Sequence, residues 1–347
     1  AHYRALGASG GVIGLLFALP SLAACILPLW IGHLADRRFR PLSVLRSLSL
    51  IAIAAMAGLA AANGLAASAA FALAASLALC SVPTLTDSLT LQAVGRSAAR
   101  YGRVRSFGSL GYVAATASYA LWSARAPWVA TGLVGLILTF SLFARSEPSK
   151  VASEASLVEA ARVLLGDREL RGMLLVFAAH WAAVGPYQSF LPLMVEDLGY
   201  SESVASVAFA LAASAEILGM WIVRGSPVVW LSLTFVVSSI RWTLTGLATG
   251  PEILIASQAL HVFSFGAFVV AAQKLVVARV PERLRSTGQG LFFSIVFGAG
   301  GGIGALASGH GYELIGGRGI FLAASIVELG ALFGLIWVWS RSWVDRA

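Results

Sequence analysis

The sequence predicts an all-α membrane protein built from two helical bundles, and three observations carry that prediction. Hydrophobic residues make up 58% of its 347 positions and charged residues 12%, a balance that leaves too little polar surface for a soluble domain. Apolar stretches near the ~20 residues needed to cross a bilayer recur along the whole chain. The chain also repeats itself: shifted by 192 positions, residues 6–23 match 198–215 at eight of eighteen places, including Leu6-Gly7-x-Ser9 over Leu198-Gly199-x-Ser201 and Phe17-Ala18-Leu19 over Phe209-Ala210-Leu211.

The predicted spans follow in order. The first, 10–34, ends at the charged run Asp36-Arg37-Arg38-Phe39-Arg40, and 42–62 follows it to Asn63-Gly64. Span 65–91 runs to the turn Gly95-Arg96-Ser97, and 106–123 and 127–144 complete the first bundle. A charged connector, Arg145 to Arg171, then divides the chain; Val158, Ala161, Val163, Leu164 and Leu165 among its charges predict a short amphipathic helix on the inner membrane face, the alternative being a plain solvated tether. Spans 172–195, 202–223, 227–248, 252–277, 287–308 and 319–340 form the second bundle, separated by short polar or Gly/Pro turns such as Gly225-Ser226-Pro227. The domains are therefore 1–144, the connector 145–171, and 172–347.

Basic residues fix the orientation. If Asp36–Arg40 is cytoplasmic and sides alternate, twenty of the 24 Lys and Arg fall at cytoplasmic loops or helix ends, leaving Arg4, Arg125, Arg241 and Arg318. That asymmetry is the expected signature of an inner (cytoplasmic) membrane protein with many spans. In the second repeat the Leu-Gly-x-Ser segment follows a full span, in the first only five residues precede it, so one amino-terminal helix is expected to be missing from eleven, the complete plan being two halves of six. No cleavable signal peptide is visible.

Several function classes drop out. The net charge of +8 is scattered between apolar runs, whereas a nucleic-acid binder gathers its cations on one solvated face. Cys25 and Cys80 lie in apolar runs and suit packing rather than a disulfide or zinc site. Gly298-Ala299-Gly300-Gly301-Gly302-Ile303-Gly304 lacks the Lys-Ser/Thr ending of a phosphate loop and sits within a span, where small residues four apart let helices approach and slide. No metal-ligand cluster or nucleophile with a spaced base suggests an enzyme, and no cofactor is expected beyond protons as coupling ion.

Five ionisable residues, Asp87, Arg105, Glu216, Arg241 and His261, lie within or at the edge of spans. An acid or arginine at the bilayer centre costs about 2.5–3.5 kcal/mol even on the lenient insertion scale, so such groups face a polar interior and carry protons, ions or substrate. Asp87 and Arg105 lie nine residues either side of Arg96, which places them at one depth on the two arms of a hairpin; Glu216 and Arg241 repeat that relation around Gly225-Ser226-Pro227. A topological clamp remains an alternative for Asp87 with Arg105, snorkelling for Arg241, and a helix-to-helix hydrogen bond for His261.

Gly32-His33-Leu34-Ala35-Asp36-Arg37-Arg38-Phe39-Arg40 resembles the Gly-x-Leu-Ala-Asp-Arg-x-Gly-Arg signature of the major facilitator superfamily, with Phe39 where Gly is usual. Tyr101-Gly102-Arg103-Val104-Arg105-Ser106-Phe107-Gly108-Ser109-Leu110-Gly111-Tyr112 is similar to the start of helix 5 in lactose-permease-like and phenylpropionate-permease-like proton symporters. Leu260-His261-Val262-Phe263-Ser264-Phe265-Gly266 resembles their helix 10, and Gly288-Gln289-Gly290 with Gly298 to Gly304 their helix 11. The resemblance implies the two-bundle major facilitator fold, substrate-binding roles for Asp87, Arg105 and Tyr112, and proton coupling through Glu216, Arg241 and His261; Phe265 is expected among the aromatics that line the cavity, the alternative being ordinary packing bulk. It also implies a gate in which Gly32, Asp36, Arg37 and Arg40 take part, Asp36 facing the start of helix 11. Lactose-permease-like members carry a glutamate three residues after the histidine, where this chain has Ser264, so Glu216, or else Asp87, is expected to carry the proton.

With both acids and both arginines charged and His261 neutral the five groups sum to zero, and one bound proton leaves +1, which a monoanionic substrate would neutralise. The expectation is a monomeric secondary transporter in the lipid bilayer, with no nucleic-acid partner, importing a small organic solute such as an aromatic carboxylate with a proton by alternating access. A sugar or nucleoside symporter, an efflux antiporter and a non-transporting sensor on the same fold are the alternatives.

Overall fold

The computed structural model describes residues 2–28, 30–31, 41–83, 85–86, 89–90, 98–122, 125–144, 157–281 and 285–344, and nearly all of them are helical. Among the described residues six helices are long and apolar enough to cross a membrane: Pro41–Ala61, Ala126–Phe143, Glu202–Ile222, Pro227–Gly246, Pro251–Arg279 and Gly288–Ser340. Gly10–Ala23 and Leu65–Leu79 are shorter apolar helices.

Proline and glycine decide where the expected spans break. The helix Leu65–Leu79 ends at Cys80, and helical structure resumes at Val82-Pro83, where proline cannot donate to the ladder. Span 172–195 is two helices, Arg168–Ala183 and Gly185–Asp197, hinged at Val184 just before Pro186. Gly316 takes the left-handed φ of 70°, which only glycine adopts without strain, and so turns the chain between the last two spans inside Gly288–Ser340. In the other direction, Ala98–Trp122 starts before the expected 106, because arginines are good helix formers and Arg100, Arg103 and Arg105 continue it. The amphipathic pattern of the connector appears as Leu157–Gly166.

By contact the chain falls into two units, His2–Ala8 with Leu22–Glu154, and Ser9–Ser21 with Ala155–Ala347. In the first, Pro41–Ala61 packs against Leu65–Leu79 and Ala126–Phe143. Its core joins Ile31, Leu42, Leu45, Val82 and Leu85 in one cluster and Ala52, Ala78 and Val134 in another. Arg46 Nη2 donates to the Ser141 carbonyl at 2.5 Å and ties two of these helices together.

The second unit is held by large buried rings and by close backbone approach. Phe177 meets Phe268 and Phe292 edge to face, at 5.7 and 6.3 Å between centroids. A side chain at Gly300 would meet the Ala178 carbonyl at 2.6 Å, and one at Gly304 would overlap the Ala182 carbonyl, so the glycine-rich segment lies backbone to backbone on Arg168–Ala183. Gly10 and Gly14 approach Gly309 and Ala305 in the same way, and Gly11 N–H donates to Glu313 Oε1 at 2.8 Å. Asp167 caps Arg168–Ala183 by accepting from Glu169 and Leu170 N–H, and Glu169 pairs with Arg279.

Candidate functional site

The site forms where Pro251–Arg279 stops being a regular α-helix. Gln258–Leu260 is a 3₁₀ turn and Val262–Ala267 a π turn, so His261 lies between a tightened and a widened segment. A π turn releases carbonyls from the i→i−4 ladder, and in a buried span each must find another donor. Here Thr234 Oγ1 donates to the Phe263 carbonyl at 3.2 Å, and His180 Nε2 donates to the Ser264 carbonyl at 2.9 Å. Gly219 and Gly266 have no room for a side chain: one at Gly219 would overlap the Val262 carbonyl, one at Gly266 the Glu216 carbonyl. That close approach presses Glu202–Ile222 onto the π turn and brings Glu216 to His261.

Glu216, His261 and Arg241 form a chain. His261 Nε2 is 3.7 Å from Glu216 Oε2, within ion-pair range and longer than a formed hydrogen bond. Arg241 Nη1 lies 2.7 Å from His261 Nδ1. A guanidinium only donates, so Nδ1 is the acceptor and the proton of the neutral imidazole sits on Nε2, the ring nitrogen on the Glu216 side. Arg241 Nη2 donates to Gln258 Oε1 at 2.6 Å, and Gln258 Nε2 in turn donates to the Leu254 carbonyl at 3.0 Å and Ser257 Oγ at 2.9 Å. The guanidinium is wholly buried, with Tyr187 and Trp242 4.5 and 4.2 Å from its carbon. Two hydrogen bonds at Nη1 and Nη2 and the neighbouring aromatic rings replace part of the water that burial removes, while Nε has no hydrogen-bond partner among the described residues. Exposure rises along the chain, from 0% at Arg241 to 7% and 19% for the His261 and Glu216 side chains.

Rings line the same place. Phe265 stacks on His261 at 5.8 Å, Trp181 lies 5.5 Å from Phe265, and Tyr187 is 5.3 Å from His261 and 5.0 Å from Phe209.

A second buried cluster adjoins it. His180 Nδ1 is 2.8 Å from Glu328 Oε2, and Trp242 Nε1 donates to Glu328 Oε1 at 3.1 Å, with both ionisable side chains fully enclosed. Among the described residues no group of three or more His, Cys, Asp or Glu is arranged to hold a metal ion.

Of the residues expected from sequence, the structure joins Glu216, Arg241 and His261 through the histidine and sets Phe265 against it. Tyr112 lies on Ala98–Trp122 and is half exposed. Arg105 belongs to that helix, its side chain lying outside the described set; Asp87, Gly32, Asp36, Arg37 and Arg40 lie outside the described residues. His180, Gln258 and Glu328 join the site from outside the five ionisable residues that the sequence singles out. The first and last were open to the same criterion as the five, being ionisable residues within apolar spans, whereas Gln258 became visible only as the partner of Arg241.

An all-helical fold with ionisable groups buried inside apolar spans is of the kind that membrane transporters use. The chain belongs to the MFS_1 like family, whose sequence profile matches residues 1–323. It is 24% identical over 338 residues to the maltose permease of Geobacillus stearothermophilus, covering 94% of this chain and 86% of that one. It is 23% identical over 337 residues to the uncharacterized transporter YwbF of Bacillus subtilis (strain 168), covering 94% and 84%. Among solved structures, the nucleoside transporter NupG superposes with a TM-score of 0.84 at 17% identity, covering 97% of this chain and 92% of that one, and its D323A mutant with 0.88 at 16% over the same shares. The family match makes this chain a multi-pass membrane protein of the major facilitator transporter type, and the solved structures show the fold.

Proposed function

We propose that this chain is a proton-coupled symporter of the cytoplasmic membrane that takes up a small organic solute, with Glu216 as the proton carrier. The observation that carries the reading is the chain Glu216···His261–Arg241. Arg241 occupies Nδ1 of His261, so the ring can take a second proton only by giving up that bond, and its Nε2 proton faces the carboxylate. Glu216 is the more exposed end of the chain and the group able to gain and lose a proton without dismantling it.

For the substrate, the more accessible end of the chain is the Glu216 carboxylate, an acceptor, while the Arg241 guanidinium is wholly enclosed. That supports a neutral solute rich in O–H or N–H donors, a sugar or a nucleoside, in keeping with the substrates named for the maltose permease and the nucleoside transporter. The aromatic carboxylate is the second reading, supported by the rings of Phe265, Trp181 and Tyr187 beside the chain and by the charge count of the five ionisable residues.

Proteoliposomes test both levels. Maltose, uridine or phenylpropionate is added outside and the external pH followed. Uptake with alkalinisation is expected for one of them, and Glu216→Gln should reduce the proton movement to the level of empty vesicles. Proton-linked uptake that persists in Glu216→Gln would remove Glu216 from the proton route, and the solute that moves decides between the substrate readings.

A further inference from the structure

We propose that Glu328 is a positioning residue for His261, acting with His180 and Trp242 as a buried clamp that fixes which nitrogen of His261 faces Glu216. The inference rests on the proton role given to Glu216 and His261 above. Two routes lead from this one carboxylate to the histidine. In the first, Glu328 Oε2 holds His180 at 2.8 Å, and His180 Nε2 donates to the Ser264 carbonyl at 2.9 Å, in the π turn that begins just after His261. In the second, Glu328 Oε1 accepts from Trp242 Nε1 at 3.1 Å, Trp242 lies 4.2 Å from the Arg241 guanidinium carbon, and Arg241 Nη1 donates to His261 Nδ1 at 2.7 Å. One anchor on the last span thus sets both the backbone that carries His261 and the cation that selects its tautomer. Ser238 Oγ, donating to Ser264 Oγ at 2.9 Å, fastens the same turn from Pro227–Gly246.

Proton counting adds a constraint. Both ring nitrogens of His180 face acceptor oxygens, so one proton must lie on Nε2 and another in the Nδ1···Oε2 contact; without the second, two lone pairs would face each other. Since both side chains are fully enclosed, that proton is held as part of the structure. The pair is neutral whichever partner carries it. Glutamine fits the same requirement. Its oxygen accepts from Trp242 and its amide donates to His180 Nδ1, with no shared proton. Leucine keeps the volume and breaks both routes.

The test uses the full chain in lipid and needs no substrate. Ring 15N signals of His261, assigned by their loss in His261→Gln, report its tautomer. The infrared carboxyl band of Glu216, assigned by its loss in Glu216→Gln, is titrated with pH. In the wild type and in Glu328→Gln the Nε2–H tautomer and the Glu216 midpoint should coincide. In Glu328→Leu the tautomers should mix and the midpoint move by about one pH unit or more, a tenfold change in proton binding. If Glu328→Leu fails to insert, His180→Leu/Glu328→Leu, which leaves no ionisable group behind, is expected to give the same shift. A wild-type tautomer and midpoint in the leucine variant would overturn the proposal. So would a glutamine variant that shifts as far as leucine, because the shared proton rather than the position of the clamp would then matter. Proton-linked uptake that survives Glu216→Gln would instead count against the proton route and leave the positioning result standing.

Discussion

Gln258 makes the burial of Arg241 tolerable. Burial removes the water from a guanidinium, and one of the two Nη donors engaged here ends on Gln258 Oε1, the amide being held through Nε2 by the Leu254 carbonyl and Ser257 Oγ. A hydrogen bond to a charged group contributes about 1.5–3 kcal/mol, and a buried donor left without a partner costs at least as much as the bond it lost. Gln258→Leu should therefore lower the melting temperature of the detergent-solubilised protein, while Gln258→Glu, which keeps an acceptor and adds an opposite charge, should hold it near the wild-type value. Equal melting temperatures for the leucine variant and the wild type would mean that Arg241 finds another partner. The residue scale also shows how far sequence reaches. Depth along a hairpin put Glu216 and Arg241 at one level, but that they meet through His261 depends on side-chain direction, which spacing does not encode.

At the scale of elements, the site depends on helices that touch through their backbones. Gly219 lies against the Val262 carbonyl, Gly266 Cα and Ala267 N, so an added methyl would push Glu202–Ile222 away from the π turn and lengthen the Glu216–His261 gap. Overpacking of this kind costs about 1–3 kcal/mol. Gly219→Ala should depress proton-linked uptake more than it depresses the amount of inserted protein. Gly135→Ala, at a helix position where a side chain meets open space, should leave both unchanged. Uptake and insertion falling together in Gly219→Ala would indicate a folding defect instead. The glycine pattern was legible as a sign of close packing around Gly298–Gly304; the 3₁₀ and π turns around His261 were not, because they arise from carbonyls that neighbouring helices capture.

At the scale of the whole molecule, the excess of Lys and Arg on alternate loops is a statement about orientation. In a background free of Cys25 and Cys80, a cysteine at Asn63 should react with a membrane-impermeant maleimide in intact cells, and one at Ser153 in the connector only after permeabilisation. Labelling of both from outside would reverse the assignment. The sequence by itself determined the membrane class, the helical spans, the duplicated plan and the family, because those follow from hydropathy, charge placement and local motifs that act over one span at a time. Only the tertiary structure decided which of the buried ionisable groups share a site. A span of ~20 residues offers its polar side chains in every direction, and the facing that joins His180 to Glu328, or Arg241 to His261 and Gln258, is set by how helices far apart in sequence pack.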